Sequence, residues 1–295
     1  MLRDFLGYGN KVPKVVWPQA SRLAVNFVIN YEEGAESNIL DGDAHSENYL
    51  SDLPGALPLD GERNLSVESL FEYGSRAGIW RLLRLFEEYN IPLTIFAVGL
   101  ALERNPVIAE ALKNSPHEIA GHGYRWINYR QVSPAIEKEH IHKTLAAIEL
   151  LTGKQAKGWY TGRKSPYTRQ LVVEAGLKYD SDSYADDLPY WVDVSGKKHL
   201  IIPYSLDVND FHYTTSPGWN NGLDFLDYLK ATFNCLYNEG ATFPKMMTVG
   251  LHARLSGRPG RCESLRQFLD YIKTFQDVWI CRREEIAEHW TKTYK

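Results

Sequence analysis

Short apolar segments alternate with longer amphipathic segments along most of the chain. The apolar segments are rich in valine, isoleucine and aromatic residues and lack a clean polar alternation, which is typical of strands buried on both faces. The segments are RLAVNFVI (22–29), LTIFAVG (93–99), EIAGH (118–122), AKGWYTG (156–162), LKYDSD (177–182), LIIPYSL (200–206), MMTVGLH (246–252) and VWICR (278–282). This pattern predicts a series of buried strands.

The segments between these strands carry a helical period. IWRLLRLFEEY (79–89) places its apolar residues on one stripe, with arginine and glutamate opposite. Ser133 and Pro134 predict an N-cap and a first-turn proline for a helix that runs to Leu151. Strand and helix alternate about seven times, which predicts an α/β fold with a parallel sheet, and at this length we expect a (β/α) barrel rather than an open sheet. Further helical patterns cover 223–240 and 264–275.

The domain organisation is simple. Neither a repeat nor a Gly/Ser/Pro linker divides the sequence, so we interpret residues 1–295 as a single domain with an N-terminal extension at 1–21. Loops as long as the predicted ones are usually functional in a compact domain, so we expect a lid or an oligomer contact there. The long predicted loops are 34–74, 183–199 and 207–221.

Composition restricts the class of protein. The chain is 44% hydrophobic with a net charge of −4, which disfavours nucleic acid or an anionic membrane as a partner. The N-terminus lacks a secretory signal pattern, and no apolar segment approaches the roughly 18 residues that span a bilayer. The three cysteines lack zinc-type spacing and fit reduced thiols. We therefore expect a cytoplasmic protein that binds a small molecule, and a homodimer or homotetramer.

Polar residues occur where the predicted strands end. Glu32 and Glu33 follow the first strand, His122 ends the third, Arg163 follows the fourth and His252 ends the seventh. Because the chemistry of (β/α) barrels lies at the carboxyl ends of the strands, we expect these side chains to share one pocket. Carboxylates, histidines and an arginine in one pocket are the ingredients of assisted hydrolysis.

Each of these residues also has a purely structural interpretation. The glutamates fit a solvated start of a loop, and His252 fits a histidine satisfied within the core. Arg163 fits a structural ion pair with Asp182. Tryptophans such as Trp126 are common in cores.

The segments NYEEG, HGYRW, GWYTGRKSPY, YDSDSY and GLHARL occur in the order and spacing of the signature motifs of a known family. On these motifs the chain resembles the polysaccharide deacetylase (NodB-type) superfamily over residues 22–285. Within it, the chain is most similar to the cofactor-independent allantoinases, through RDFLGYGN, NYEEGAE, SVESLFEYGSRAGIWRLL, HGYRW and DDLPYW. The resemblance implies a deformed (β/α) barrel, usually with seven strands.

The departures from the deacetylase pattern concern the metal. Typical deacetylases open with paired aspartates, a general base and a metal ligand, and here Glu32 and Glu33 take those positions. Their metal is completed by two histidines four residues apart, where this chain has His122 and Trp126. A catalytic zinc takes three protein ligands, and an indole cannot ligate. Glu33 and His122 are the ligands left from that set, so we expect no tightly held metal and no cofactor.

The resemblance predicts hydrolysis of the hydantoin ring of allantoin to allantoate. Without a metal, a carboxylate must take the proton from water and donors must hold the oxyanion. We expect Glu32 or Glu33 to be that base, with a pKa raised toward neutrality by burial, and His252 to protonate the leaving nitrogen. Arg163 and His122 would hold the carbonyl or the ureido arm. The other residues assigned to substrate binding are Trp126, Tyr160, Asp182 and Trp191.

Three alternatives remain open. The first is a chitin or peptidoglycan deacetylase, which would need zinc or another divalent metal and a substrate outside the membrane. The second is a hydrolase of another cyclic amide or imide. The third is a non-catalytic binding module on a deacetylase barrel, which the retained carboxylates, Arg163 and His252 disfavour.

Overall fold

The centre of the molecule is a curled sheet, seen in a computed structural model that describes residues 3–294. Within these residues the sheet has nine strands in the order β6-β7-β5-β4-β3-β2-β1-β8, with β9 also paired to β1. All pairs are parallel except β6 with β7. The strands are β1 (Leu23–Tyr31), β2 (Thr94–Ala97), β3 (Glu118–Gly121), β4 (Gly158–Trp159), β5 (Tyr179–Asp180), β6 (Tyr190–Val194), β7 (Lys197–Ile201), β8 (Lys245–His252) and β9 (Val278–Ile280).

The sheet curls into the deformed barrel that the family resemblance implies. The segment after β7 crosses to β8, where the Gly250 N–H donates to the Val208 carbonyl at 3.1 Å. Gly250 permits this close approach, because a Cβ there would collide with the side chains of Tyr204 and Asn209. The α/β fold class and the barrel are thus confirmed.

Strand β1 lies in the middle of the barrel wall and is buried along its whole length. Its odd-numbered residues belong to the core between the sheet and the helices, and include Phe27 and Tyr31. Successive side chains of a strand point to opposite faces, so Asn26 and Asn30 face the barrel interior. The polar residues of β1 therefore all point toward the inside of the barrel.

Helices surround the sheet. The Ser133 hydroxyl accepts a hydrogen bond from the Ile136 N–H, as the sequence predicted, and Gly153 ends the same helix with φ of 67°. Among the described residues, no helix is both long and apolar enough to cross a membrane. The helices are α1 (Leu65–Tyr73), α2 (Ile79–Glu88), α3 (Gly99–Arg104), α4 (Pro106–Lys113), α5 (Pro134–Thr152), α6 (Thr168–Glu174), α7 (Gly222–Glu239), α8 (Pro259–Ile272) and α9 (Arg283–Thr293).

Two of the predicted loops contain an α-helix or a β-strand. The predicted loop 183–199 holds β6 and the start of β7, which form an antiparallel hairpin at the edge of the sheet. The β6 side chains are mostly half-exposed, so this strand lacks the continuous apolar pattern that marked the others. The predicted loop 34–74 includes α1, which a π-helical turn at Gly74–Gly78 joins to α2.

The glycines of this π-helical turn allow the helix to pack closely on the carboxyl end of the barrel. A Cβ at Gly74 would collide with the Glu33 side chain, and a Cβ at Gly78 would collide with the Ala253 carbonyl. The turn therefore holds together the two segments that follow β1 and β8.

Candidate active site

The carboxyl ends of the parallel strands enclose a cavity of about 120 Å³. Loops after β1, β3, β4 and β8 converge there, as the connections of a barrel require. The predicted site residues that line this cavity are Glu32, His122, Trp126, Tyr160, Arg163 and His252.

Glu32 is the centre of this site, and its side chain is buried. Its Oε1 lies 3.1 Å from His122 Nε2 and 3.6 Å from His252 Nε2. Its Oε2 lies 2.8 Å from Arg254 Nη1. Burial alone would raise the pKa of Glu32, but Arg254, His252 and His122 offset burial and hold this pKa well below its usual range. Glu32 is therefore a carboxylate at neutral pH.

The two imidazoles are fixed through their outer nitrogens. His122 Nδ1 donates to the Tyr160 carbonyl at 2.6 Å, since a carbonyl oxygen only accepts. His252 Nδ1 lies 2.6 Å from Asp210 Oδ1, and the backbone N–H of His252 donates to Oδ2 of the same carboxylate at 2.7 Å. Both rings thus direct Nε2 at the same oxygen of Glu32.

His252 is positively charged at neutral pH. Burial lowers its pKa, but the carboxylates of Glu32 and Asp210 outweigh burial and raise this pKa to about 9. An imidazolium with Nδ1 held by a carboxylate is arranged to release the proton on Nε2. The geometry supplies a carboxylate beside a proton donor.

Glu33 takes a different position. Its Oε2 accepts a hydrogen bond from the backbone N–H of Glu32 at 3.1 Å, and its Oε1 accepts one from the backbone N–H of Arg254 at 3.2 Å. Among the residues that the structure describes, Glu33 is not part of the cavity lining, and burial raises its pKa although Arg254 opposes the shift. The structure therefore presents Glu32 to the cavity, while Glu33 orients the segment that follows β8.

Arg254 and Asp210 belong to the site, although no role was predicted for either residue. The Arg254 side chain is 1% exposed, lies between Glu32 and Glu33, and donates from Nε to the Leu50 carbonyl at 3.1 Å. The sequence signal for Arg254 is a charged residue inside the apolar stretch LHARL. Asp210 follows the sixth predicted strand, where its position at a strand end was the available signal.

A loop segment closes over the cavity. Arg163 Nη1 pairs with Glu47 Oε2 at 2.8 Å, and its guanidinium lies 4.8 Å from the centre of the Trp126 ring. Tyr49 stacks on Trp126 with ring centres 5.9 Å apart. The part of the predicted loop 34–74 around residues 47–50 thus forms a cover, and Arg163 pairs with this cover rather than with Asp182.

Two predicted substrate contacts lie elsewhere. Asp182 accepts from the N–H groups of Thr161 and Gly162 at 2.9 Å each, so it shapes the loop after β4. Trp191 is on the β6–β7 hairpin and donates from Nε1 to the Tyr294 carbonyl at 2.6 Å. Within residues 3–294, neither side chain lines the cavity. The assignment of Trp191 to substrate binding is corrected, because the hairpin carries it to the outer edge of the sheet.

The residues do not fit the metal that the deacetylase pattern implies. The Glu33 oxygens accept backbone N–H bonds, and Trp126 offers no ligand atom and lies 5.1 Å from the Arg254 guanidinium. His122 alone of that ligand set faces the cavity, and the Arg254 charge beside Glu32 opposes a second cation. Across residues 3–294, no group of three or more His, Cys, Asp or Glu side chains is arranged to hold a metal ion.

Comparisons with known proteins agree with this fold. The family model for polysaccharide deacetylase matches residues 62–179. A Schizosaccharomyces pombe protein provisionally named a polysaccharide deacetylase is 43% identical over 310 residues, which cover 98% of this chain and 97% of that protein. The crystal structure of PuuE allantoinase is 52% identical with a TM-score of 0.97, covering 99% of this chain and 98% of that chain. A structure from Pseudomonas aeruginosa PAO1, provisionally named a polysaccharide deacetylase, is 51% identical with a TM-score of 0.96, covering 99% and 98%.

Proposed function

We propose that this chain opens the hydantoin ring of allantoin to give allantoate. The chain belongs to the polysaccharide deacetylase family and is a hydrolase of that superfamily. The observation that carries the proposal is the size of the cavity, about 120 Å³. This volume is far below the roughly 300–1,000 Å³ of sites that enclose drug-sized ligands. It suits one small ring with a ureido arm, whereas a polysaccharide needs an open groove. The similarity to PuuE allantoinase, at 52% identity, supports the same activity.

In the proposed reaction, Glu32 takes a proton from water while the water oxygen attacks a ring carbonyl carbon. The ring C–N bond then breaks, and the His252 imidazolium gives its Nε2 proton to the departing nitrogen. The water oxygen remains on the carbonyl carbon in a new carboxyl group, which loses its proton to solvent to become the carboxylate. The proton on Glu32 then passes to His252 Nε2, which restores both groups. Glu32 and His252 suit these roles because Glu32 Oε1 and His252 Nε2 are 3.6 Å apart and line the same cavity.

The charge states of these groups favour a reactive substrate. The expectation of a base with a raised pKa is corrected, because the pKa of Glu32 is lowered. A carboxylate of low basicity pulls weakly on water, so the carbonyl must itself be electrophilic. A hydantoin carbonyl meets this need, since its leaving nitrogen is also attached to a second carbonyl. An open-chain acetamide, which has a poorer leaving group, does not.

His122 and Arg163 are the proposed binding groups for the carbonyl and the ureido arm. His122 Nδ1 donates to the Tyr160 carbonyl, and its Nε2 lies 3.1 Å from Glu32 Oε1 in the cavity wall. Arg163 borders the cavity beneath the cover. Arg163 can donate toward developing negative charge, which is the role of an oxyanion site, and His122 would contact the substrate from the same cavity wall.

Side-by-side assays test the proposal. Purified wild type and Glu32→Gln are incubated with allantoin and with an acetylated chito-oligosaccharide, with detection of allantoate and of free acetate. We expect allantoate formation by wild type, its loss in Glu32→Gln, and little acetate from either protein. Acetate release with inert allantoin would instead establish the deacetylase alternative.

A further inference from the structure

The cavity wall contains a buried hydrogen-bond acceptor without a protein partner. Asn30 is 1% exposed and lines the cavity. Its amide orientation is fixed, because the Leu251 carbonyl lies 3.2 Å away and can only accept, so the nearer amide atom is Nδ2. Among residues 3–294, no group donates to Asn30 Oδ1. A buried carbonyl oxygen of this kind calls for a donor from water or from a ligand.

The neighbouring Tyr204 supplies the opposite group. Its hydroxyl oxygen accepts from Asn30 Nδ2 at 3.0 Å and from Asn209 Nδ2 at 3.1 Å. The Asn209 orientation is also fixed, since the Phe211 N–H donates to Asn209 Oδ1 at 3.1 Å. A hydroxyl has two lone pairs and one proton, so these two bonds leave the proton free to be donated. Burial raises the pKa of Tyr204, so the proton stays on the oxygen.

The cavity therefore presents an acceptor and a donor next to each other. Both residues line the cavity, and Asn30 Nδ2 donates to the Tyr204 hydroxyl at 3.0 Å, so the two polar groups are hydrogen-bonded neighbours in its wall. The matching ligand edge has an N–H and a C=O on the same side. An open-chain secondary amide has them on opposite sides, because its cis form is rare. An amide inside a small ring is held in the cis form and presents both groups together.

We propose that Asn30 and Tyr204 form a recognition pair for the cis-amide edge of a cyclic ureide, and that this pair excludes open-chain acetamides. The proposal rests on the proposed function for the identity of the substrate. Asn30 lies opposite His252 in the register of β1 and β8, so the pair is next to the proton donor. The pair would therefore bind the ring next to the bond that is hydrolysed.

Methylation of the substrate tests the pair. The kcat/KM values of wild type, Asn30→Ala, Tyr204→Phe and Tyr184→Phe are measured with allantoin and with its two ring-N-methylated forms. We expect wild type to discriminate against at least one methylated ring by about 10- to 100-fold, the range for a lost hydrogen bond in a buried site. Asn30→Ala should reduce this ratio to near unity. Tyr184→Phe removes another hydroxyl of the cavity lining and should keep the wild-type ratio. An unchanged ratio in Asn30→Ala would overturn the proposal.

A second measurement needs no variant at position 30. Hydantoin and N-methylacetamide are compared as ligands of wild type and Tyr204→Phe by calorimetry. We expect hydantoin to bind wild type at least about 10-fold more tightly than N-methylacetamide, and Tyr204→Phe to lose most of that preference. Equal binding of the two amides by wild type would refute the recognition pair. If allantoin is turned over without this preference, only the pair is wrong, whereas a preference for hydantoin without turnover contradicts the proposed function alone.

Discussion

Replacing Arg254 by methionine should destabilise the protein and raise the pKa of Glu32. The guanidinium is buried, with Nη1 2.8 Å from Glu32 Oε2 and 3.4 Å from Glu33 Oε1. Methionine fills much of the same volume but leaves both carboxylates without this counter-charge. Removing one partner of a buried ion pair is far more costly than exchanging the whole pair for apolar groups.

The magnitude follows from these distances. At an effective dielectric constant of about 20, unit charges at 2.8 and 3.4 Å attract by about 6 and about 5 kcal/mol. The cost of taking the charged groups out of water offsets part of this attraction, and the loss of one buried partner typically costs about 3–5 kcal/mol. Since domains are stable by about 5–15 kcal/mol, the variant should fold but unfold at a clearly lower urea concentration.

The loss of stability in Arg254→Met should depend on pH. In wild type the pKa of Glu32 is lowered, so Glu32 contributes stability at neutral pH that is lost as the pH falls toward the lowered pKa. Without Arg254, burial of Glu32 is opposed only by His252 and His122, so the pKa of Glu32 should rise. The variant would then lose most stability above the raised pKa, where Glu32 is a buried carboxylate without Arg254. At acidic pH, protonation of Glu32 would restore part of that stability. The difference between wild type and variant should therefore shrink between pH 8 and pH 5.

Urea unfolding at these two pH values measures the difference. The matched control is Arg266→Met, because Arg266 pairs at 2.6 Å with Glu88, whose side chain is 57% exposed. Solvent screens that pair, so the loss of stability in Arg266→Met should be much smaller and nearly independent of pH. A pH-independent loss in Arg254→Met would refute the reasoning. It would mean that Arg254 acts through packing and its bond to the Leu50 carbonyl, not as the charge that keeps Glu32 ionised.

Four further predictions concern catalysis. The kcat/KM for allantoin should fall above about pH 9 in a pH–rate profile, because the raised pKa of His252 keeps the proton donor charged only below that value. Asp210→Asn removes a charge that raises this pKa, so it should move the basic limb to lower pH and reduce kcat. Glu32→Gln should lower kcat by about 100-fold or more, whereas Glu33→Gln should mainly lower the urea midpoint. Turnover should persist after dialysis against a chelator, with metal content checked by elemental analysis; loss of rate restored by zinc would contradict the metal-free mechanism.

The sequence predicted the members of the cavity because parallel strands in a barrel bring their carboxyl ends together. Glu32, His122 and His252 each follow directly from a strand end, so their convergence depends on the fold class alone. The choice between Glu32 and Glu33 could also have been made from the sequence. Asn26, Asn30 and Glu32 alternate with apolar residues along β1 and just after it, so all three side chains point to the same face of the strand. Polar residues on one face indicate the face that points into the barrel.

Partners that lie far apart along the chain could not be predicted in this way. Arg254 is separated from Glu33 by 221 positions, and nothing local ties the one to the other. Arg163 pairs with Glu47, 116 positions away in a loop without periodicity. Trp191 was misplaced because a half-exposed edge hairpin carries no buried pattern. Long-range ion pairs depend on how loops cross the barrel, which strand and helix periods do not encode.

The position of Arg254 also bears on why the chemistry would rest on Glu32 and His252. The guanidinium is a fixed cation within ion-pair distance of both carboxylates, and it packs 5.1 Å from the ring of Trp126. It neutralises charge as a bound cation would, but it offers no open coordination position and cannot lower the pKa of a water molecule as zinc does. Activation of water and of the leaving group must then come from side chains. Since the pKa of Glu32 is lowered, these side chains suffice only for an already reactive carbonyl, which is the property that a hydantoin ring has and an acetylated sugar lacks.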